Sequence, residues 1–345
     1  MLTAKRNMQE TMRGGKPERF VNQFEAITQL PHPYLETMGG AARGELNVRN
    51  AWGVTSSFPE GLPGAFPVHT QDTIVVKDIE RWREHVKAPS LDFGDALWDD
   101  CKAKYDALDG SQTYKAASIR PGIFEHTHYL CEIVRALAYY ITNPDDVKDL
   151  IKYVTDWELE LAESICRRLR PDALFHHDDW GTEISTFMSP DMFADFLLEP
   201  YKQVYGYYHS HGVELVIHHS DSYAATLVPH MIEMGIDIWQ GCLTSNNIPE
   251  LIRKYSGRIT FMGGLDNKLV DHPDWTRESC AAVVRSICAG CGNMYFIPSI
   301  TQGGAGSVYR GTYEALTEEI DNYSMEVFGI DKSDISRLPM DPAHK

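Results

Sequence analysis

The chain is predicted to be an α/β protein, a (β/α)8 TIM barrel carrying an N-terminal helical and loop extension. Three observations lead there. Short apolar runs alternate with helix-length amphipathic segments from about residue 115 to the end. The stretch 171–222 holds two such runs, Ala173-Leu174-Phe175 and Val213-Glu214-Leu215-Val216-Ile217, separated by one long helical segment. That is a β–α–β unit, and a right-handed crossover makes its strands parallel neighbours. No Gly-x-Gly-x-x-Gly follows a first strand, which removes the usual dinucleotide-binding sheet. Five βα units are clear and one or two upstream are irregular, a count that favours closure into a barrel over an open doubly wound sheet.

Taken in order, residues 4–14 and 18–30 show helical spacing, broken by Gly14-Gly15-Lys16-Pro17. From Leu30 to Thr73 the chain is rich in Pro, Gly and aromatics without periodicity. A loop that long in a compact protein is usually functional, and it is expected to cover one mouth of the cavity. Helices are expected over 77–86 and 95–108, a strand over 116–123, and helices over 130–141 and 144–169. Asn143, Pro144 and Asp145-Asp146 suit the amino end of the last. The helix of the central unit starts at Ser189-Pro190-Asp191 and stops at Gly212. Shorter elements follow: helix 223–234, strand 236–239, helix 248–255, strand 258–262, helix 273–289, strand 293–298 and helix 308–328. A single domain spanning 1–345 results, with residues 1–110 packing on the barrel as helices and a long loop.

With 43% hydrophobic residues the chain can bury a large core. A net charge of −17 argues against nucleic acid or an anionic membrane surface as partner. The opening residues lack an apolar signal core and no apolar run approaches the ~20 residues that span a bilayer, so a cytoplasmic protein is expected. Seven scattered cysteines do not form a disulfide framework, and Cys288-x-x-Cys291 reads as ordinary thiols because no second pair accompanies it.

Chemistry concentrates where the two central strands end. The first leads into His176-His177-Asp178-Asp179-Trp180-Gly181-Thr182-Glu183, the second into His218-His219-Ser220-Asp221-Ser222. Glu183 and His219, with Asp221 or Asp178, would offer nitrogen and oxygen ligands and leave a position open, the makeup of a catalytic zinc site. Any one histidine is more simply a core imidazole, since alternation sends one of each pair toward the helix layer. The set at adjacent strand ends favours a site. Glu199, ahead of Pro200 in the long helix, is a further candidate ligand. Asp178 or Asp179 could orient a metal-bound histidine or act as general acid, and Trp180 offers an aromatic wall. Glu25, His126 and His128 are weaker cavity candidates, and Asp266 could contact substrate or cap a helix.

Several of these motifs, in this order, resemble the uroporphyrinogen decarboxylase superfamily. They are Asp178-Asp179-Trp180-Gly181-Thr182-Glu183, Ser189-Pro190 with Glu199-Pro200-Tyr201, His219-Ser220-Asp221, and Met262-Gly263-Gly264-Leu265-Asp266. The opening Thr3-Ala4-Lys5-Arg6-Asn7 through Pro17-Glu18-Arg19-Phe20 is similar as well. The resemblance implies a (β/α)8 barrel. The decarboxylase's arginine loop, which grips propionates, is replaced here by Phe20-Val21-Asn22-Gln23-Phe24-Glu25-Ala26-Ile27, which leaves a highly anionic tetrapyrrole without counter-charges. The sequence is more similar to the branch of zinc-dependent corrinoid methyltransferases. Its thiol-methylating members carry His-x-Cys and a distant second Cys on zinc, whereas here the motif is His219-Ser220-Asp221 and Ser299 to Gln302 contains no Cys. A harder nitrogen and oxygen set looks like the first methyltransferase of O-demethylase systems.

The resemblance therefore implies an enzyme that moves a methyl group from an O-methyl donor, a phenyl methyl ether such as a methoxylated aromatic acid, to the Co(I) of a separate corrinoid protein. His219 and Glu183 would hold zinc, Asp221 or Glu199 would complete the set, and Asp178, Asp179 and Glu183 would serve catalysis. A corrinoid (cobalamin)-carrying protein and a small-molecule methyl donor are the expected partners, and a homodimer is left open. The rivals are a methylcobalamin:thiol methyltransferase and a uroporphyrinogen decarboxylase-like lyase.

Overall fold

In the computed structural model, which describes residues 1–62 and 64–335, seven parallel strands curl around a lumen with the helices outside. Residue 63 of the expected mouth loop and residues 336–345 of the expected domain lie outside the described residues. The chain opens with α1 (Ala4–Arg13), β1 (Ile27–Leu30) and α2 (Pro33–Thr37). A small antiparallel sheet follows, built of β2 (Val48–Arg49), β3 (Thr55–Ser57) and β4 (Phe66–Pro67), and then α3 (Asp95–Asp106). The repeating part comprises β5 (Tyr114–Ile119), α4 (Ile123–Cys131), α5 (Ile133–Thr142), α6 (Pro144–Arg168), β6 (Ala173–His177), α7 (Pro190–Phe193), α8 (Glu199–Ser210) and β7 (Leu215–His219). It continues through α9 (Val228–Met234), β8 (Ile238–Cys242), α10 (Ile248–Tyr255), β9 (Thr260–Leu265), α11 (Asn267–Val270), α12 (Arg277–Cys291), β10 (Phe296–Ile300) and α13 (Thr312–Phe328). The main sheet runs in the order β1-β5-β6-β7-β8-β9-β10.

The expected TIM-barrel class is what the chain adopts, with seven strands described. Alternation along each strand builds two cores. Ile27, Tyr114, Ala116, Ala173, Phe175, Leu215, Ile217, Ile238, Met262 and Ile297 point inward, where Ala4 and Met8 of α1 plug the amino-terminal end. Their neighbours Ala117, Leu174, Val216, Trp239, Phe261 and Phe296 point outward against the helices. A cleft of about 230 Å³ among Gln9, Arg13, Tyr114, Glu214, Asp237 and Arg258 lies at that plugged end, away from the strand termini that carry the chemistry.

Residues 18–30, expected as a helix, are turns followed by β1. Two local interactions override the helical spacing. Glu25 accepts from the Asn22 amide (2.8 Å) and from the buried Arg19 guanidinium, and Gln23 takes a left-handed conformation at φ 51°. That twist lets Gln23 bridge the sheet edges: its amide donates to the Pro298 carbonyl (3.1 Å) and its Oε1 accepts from the Ile300 amide (3.3 Å). Its Nε2 donates to the Tyr313 carbonyl and to Thr317 Oγ1. A side chain thus closes the seam between β1 and β10. Other elements differ from expectation as well. Residues 77–86 narrow to a 3-10 segment, Ile79–Glu84. His126 and His128 sit on α4, which starts earlier than expected, at Ile123. The long helix of the central unit contains a π-helical turn, Ala194–Leu198, directly ahead of Pro200, whose missing N–H cannot continue the α ladder.

Replacing Gln23 by Ala removes three side-chain hydrogen bonds and strands the buried Ile300 amide. The unfolding free energy is expected to fall by about 2–4 kcal/mol, read from the denaturant midpoint at unchanged m-value.

Candidate metal centre at the ends of β6 and β7

The registers of β6 on β7 set His176 opposite His218 and His177 opposite His219. Phe175 and Ile217 face the lumen, so two residues further on His177 and His219 face it too, and their rings stack at 4.4 Å. The alternation persists past the strand ends, where the Asp178 amide donates to the His219 carbonyl (3.1 Å). Asp179 and Asp221 therefore fall on the lumen side, and the Asp221 amide donates to Asp179 Oδ1 (2.9 Å). His177, Asp179 and His219 each offer a ligand atom within 4.8 Å of the others.

Both imidazoles are oriented from behind. His177 Nδ1 meets Glu125 Oε2 of α4 at 2.9 Å, and His219 Nδ1 meets Gln240 Oε1 of β8. Each ring thus keeps Nε2 for a ligand, the arrangement in which an outer partner fixes a metal-binding histidine. Tyr129 donates its hydroxyl to Glu125 Oε1 (3.0 Å), holding that carboxylate from a second side. Burial works against a charge on His177, but the Glu125 carboxylate outweighs it and lifts the imidazole to about 10. Burial and the charged His177 lower His219 to about 4. Burial, then the Asp179 carboxylate, raise Asp221 to about 8. Near neutrality, without a cation, His177 and Asp221 hold protons and His219 does not.

The outward residues build the support. His176 bonds Glu158 of α6 (2.7 Å) and Tyr205 of α8 (3.2 Å), and Tyr205 also bonds His218 (2.8 Å). Asp178, expected in a catalytic role, is fully buried and caps α4: it accepts from the Phe124 amide (2.8 Å), the Glu125 amide (2.9 Å) and the Tyr201 hydroxyl. Gly122 permits this approach, since a Cβ there would lie 2.5 Å from Asp178. Trp180, expected as a substrate wall, is 2% exposed in the helix layer and stacks on His218. Asp178 and Trp180 share one cause: even-numbered positions along β6 face outward, and that parity continues past its end.

Glu183, expected beside His219, lies exposed beyond the strand end and pairs with Lys268, while Glu199 is exposed on α8 and pairs with Lys202 (3.0 Å). Neither is brought to His219. His126 is buried against Trp52, and half-buried His128 packs on Phe124 and Tyr129; the surrounding protein lowers them to about 4 and about 3. Glu25 serves the seam, and Asp266 caps α11 through the Lys268 amide (3.0 Å). His177 as ligand, with Glu125 and Gln240 behind, is what sequence reasoning missed, although counting in twos from Phe175 and Ile217 reaches both imidazoles.

A thiol is kept out. Beyond Gln240 the ladder between β8 and β9 shifts register, a bulge made by Gly241 at φ 93°, and Cys242 consequently packs in the helix layer. An uninterrupted strand would have turned it inward, next to Gln240's partner His219.

Replacing Glu125 by Gln removes the charge that holds the His177 proton. In metal-stripped protein, the His177 ring resonances are expected to titrate near 10 in the wild type and well below that in the variant, followed by NMR against pH.

A family model described as uroporphyrinogen decarboxylase (URO-D) matches residues 47–301. A search of curated proteins returned no match. Among solved structures, a methyltransferase from Methanosarcina mazei superposes with a TM-score of 0.64 at 12% identity, covering 94% of this chain and 99% of that one. A B12-independent methionine synthase from Shewanella sp. W3-18-1 aligns at a TM-score of 0.48 and 13% identity, covering 85% of this chain and 100% of that one. D-psicose 3-epimerase from Clostridium cellulolyticum H10 aligns at 0.39 and 13%, covering 68% and 85%. The barrel, its chemistry at the carboxyl strand ends and a family match across most of the chain lead to one conclusion: the protein belongs to the uroporphyrinogen decarboxylase (URO-D) family.

Proposed function

We propose that the protein is a zinc-dependent methyltransferase that moves a methyl group from an O-methyl donor, a phenyl methyl ether, to the cobalt of a corrinoid carried by a separate protein, as part of an O-demethylase system. The observation that carries this reading is the convergence of His177, Asp179 and His219 within 4.8 Å. Support comes also from the fold shared with the Methanosarcina mazei methyltransferase. The donors suit zinc by their chemistry, two imidazole nitrogens and a carboxylate oxygen, with Asp221 alongside as a further oxygen and the opposite ring nitrogens already engaged. When bound there, zinc supplies a Lewis acid that draws off the charge developing on the ether oxygen as the methyl group leaves.

The chain's own groups do the rest. Glu125 and Gln240 hold the two imidazoles in the orientation that leaves Nε2 toward the lumen. Asp179 holds the Asp221 backbone through its Oδ1 and so keeps both carboxylates on one wall. Where it stays off the metal, Asp221, whose protonated form burial and the Asp179 carboxylate favour, is the group that gives a proton to the departing aryl oxide, a poor leaving group as the free anion. The thiol-methylating alternative loses ground because Cys242, the cysteine at a neighbouring strand end, faces the helices.

Purified protein is expected to carry about one zinc per chain by elemental analysis. His177→Ala and His219→Ala are each expected to lose both the metal and methyl transfer from methoxyarenes to reduced corrinoid protein; a fully loaded, active His219→Ala would reject the assignment. Zinc binding must displace the His177 proton, so the association constant is expected to rise about tenfold per pH unit for each proton released between pH 6 and 8, measured by competition with a chromophoric chelator.

A further inference from the structure

His177 and His219 are held from behind by groups of different kinds. Glu125 is a carboxylate and accepts from an imidazole N–H through either oxygen. Gln240 is an amide, which accepts at Oε1 and donates at Nε2, so its effect on His219 depends on which end it turns to the ring. That choice is made across the lumen. Gln240, fully buried on β8, donates Nε2 to the Ile300 carbonyl of β10 (3.2 Å). A carbonyl can only accept, so Oε1 is left to face His219, and the ring nitrogen it meets, Nδ1, carries the proton. The contact passes over β9, the strand between the two. Met262 is level with Gln240 and Leu265 with Ile300, and the residues between them are Gly263 and Gly264, which put no side chain in the way.

Ile300 is held in turn. Its amide donates to Oε1 of Gln23 (3.3 Å), the buried side chain at the seam, while the Gln23 amide donates to the Pro298 carbonyl (3.1 Å). Both backbone polar groups of one residue are therefore taken by glutamine side chains, the N–H by Gln23 and the C=O by Gln240. An unbroken series of hydrogen bonds runs from the turn before β1 to a ligand on β7. We propose that Gln23 is a positioning residue for His219: through Ile300 and Gln240 it holds the His219 proton on Nδ1 and keeps the Nε2 lone pair for a cation. Without it the Ile300 peptide is free to tilt and Gln240 to reverse its amide. The proton then moves to Nε2, where it blocks coordination. The proposal rests on the metal centre for the use made of Nε2, but not for the position of the proton.

The test reads the two separately. The proton is located in metal-free, full-length protein from the ring-nitrogen NMR shifts of His219, and zinc affinity is measured by competition with a chromophoric chelator. Wild-type His219 is expected to carry its proton on Nδ1. Gln23→Met keeps the bulk at the seam but cannot accept from the Ile300 amide; it is expected to lose that preference and to bind zinc about tenfold more weakly, as on loss of an outer partner. Gln240→Met is expected to do the same, and Gln23→Glu, which restores the acceptor, to recover the proton position. Thr317→Val removes one Gln23 hydrogen bond to α13 without touching Ile300, and is expected to lower the denaturant midpoint while leaving proton and affinity unchanged. A wild type with the proton on Nε2, a reading that needs no variant to fold, overturns the proposal. So does a Gln23→Met protein that matches the wild type in both readings, or a Thr317→Val protein that loses as much zinc affinity as Gln23→Met. A proton on Nδ1 that depends on Gln23, in protein that takes up no zinc, would sink the metal reading and leave the link from Gln23 to His219 standing.

Discussion

The register of β6 on β7 is the constraint from which the site follows. It sets two histidine pairs side by side on opposite faces of one sheet. The inner pair stacks in the lumen with its Nε2 atoms free, and the outer pair is locked to Glu158 and Tyr205. Because side chains alternate with a period of two, a slip of a single residue would exchange the pairs. It would put His176 and His218 in the lumen without Glu125 and Gln240 behind them. The buried outer network therefore does more than satisfy polar groups. It makes the alternative register costly, since Glu158, at 1% exposure, would lose the imidazole it is hydrogen-bonded to.

A second dependence runs sideways. Asp178 stands between the inward His177 and Asp179, faces out, and ties down the amino end of α4 through two amides. The first turn of that helix carries Glu125, which sets the protonation and orientation of His177. The cap and the ligand are thus one chain of contacts, from strand to helix and back to the same strand. Adjacent residues of one motif serve opposite layers, and a motif of conspicuous acids need not place all of its acids in the cavity.

The barrel class and the central β–α–β unit were legible because strands buried on both faces read as near-continuous apolar runs and helix ends carry their caps: Ser189 accepts from the Met192 amide as its position suggests, and Gly235 stops α9 in a left-handed conformation. The location of the chemistry was legible for the same reason, and His219 needed only the strand's parity. The first strand was not. Ile27–Leu30 is four residues long, and the turn before it depends on Arg19, Glu25 and Gln23 meeting partners as far away as residue 317. Glu183 and Glu199 were misplaced because proximity in sequence to a strand end was taken for proximity in space. The loop after β6 instead turns Glu183 outward to Lys268, and the helical face of α8 turns Glu199 to Lys202. Glu125 and Gln240 could not be singled out, because their roles exist only once three strands and a helix are assembled.

The extra residue in β8 governs the hardness of the whole pocket. Gly241 adopts a backbone conformation that side-chain-bearing residues rarely take, and a Cβ there would press on Ser220 at 2.8 Å. That slack rotates a sulfur away from the cavity and leaves nitrogen and oxygen as the donors within reach. Straightening the strand at this point, with no residue lost, would turn the sulfur inward and hand the same barrel a softer coordination sphere, so the preference between ether and thiol chemistry can be inherited through a kink rather than through a change of ligand residues.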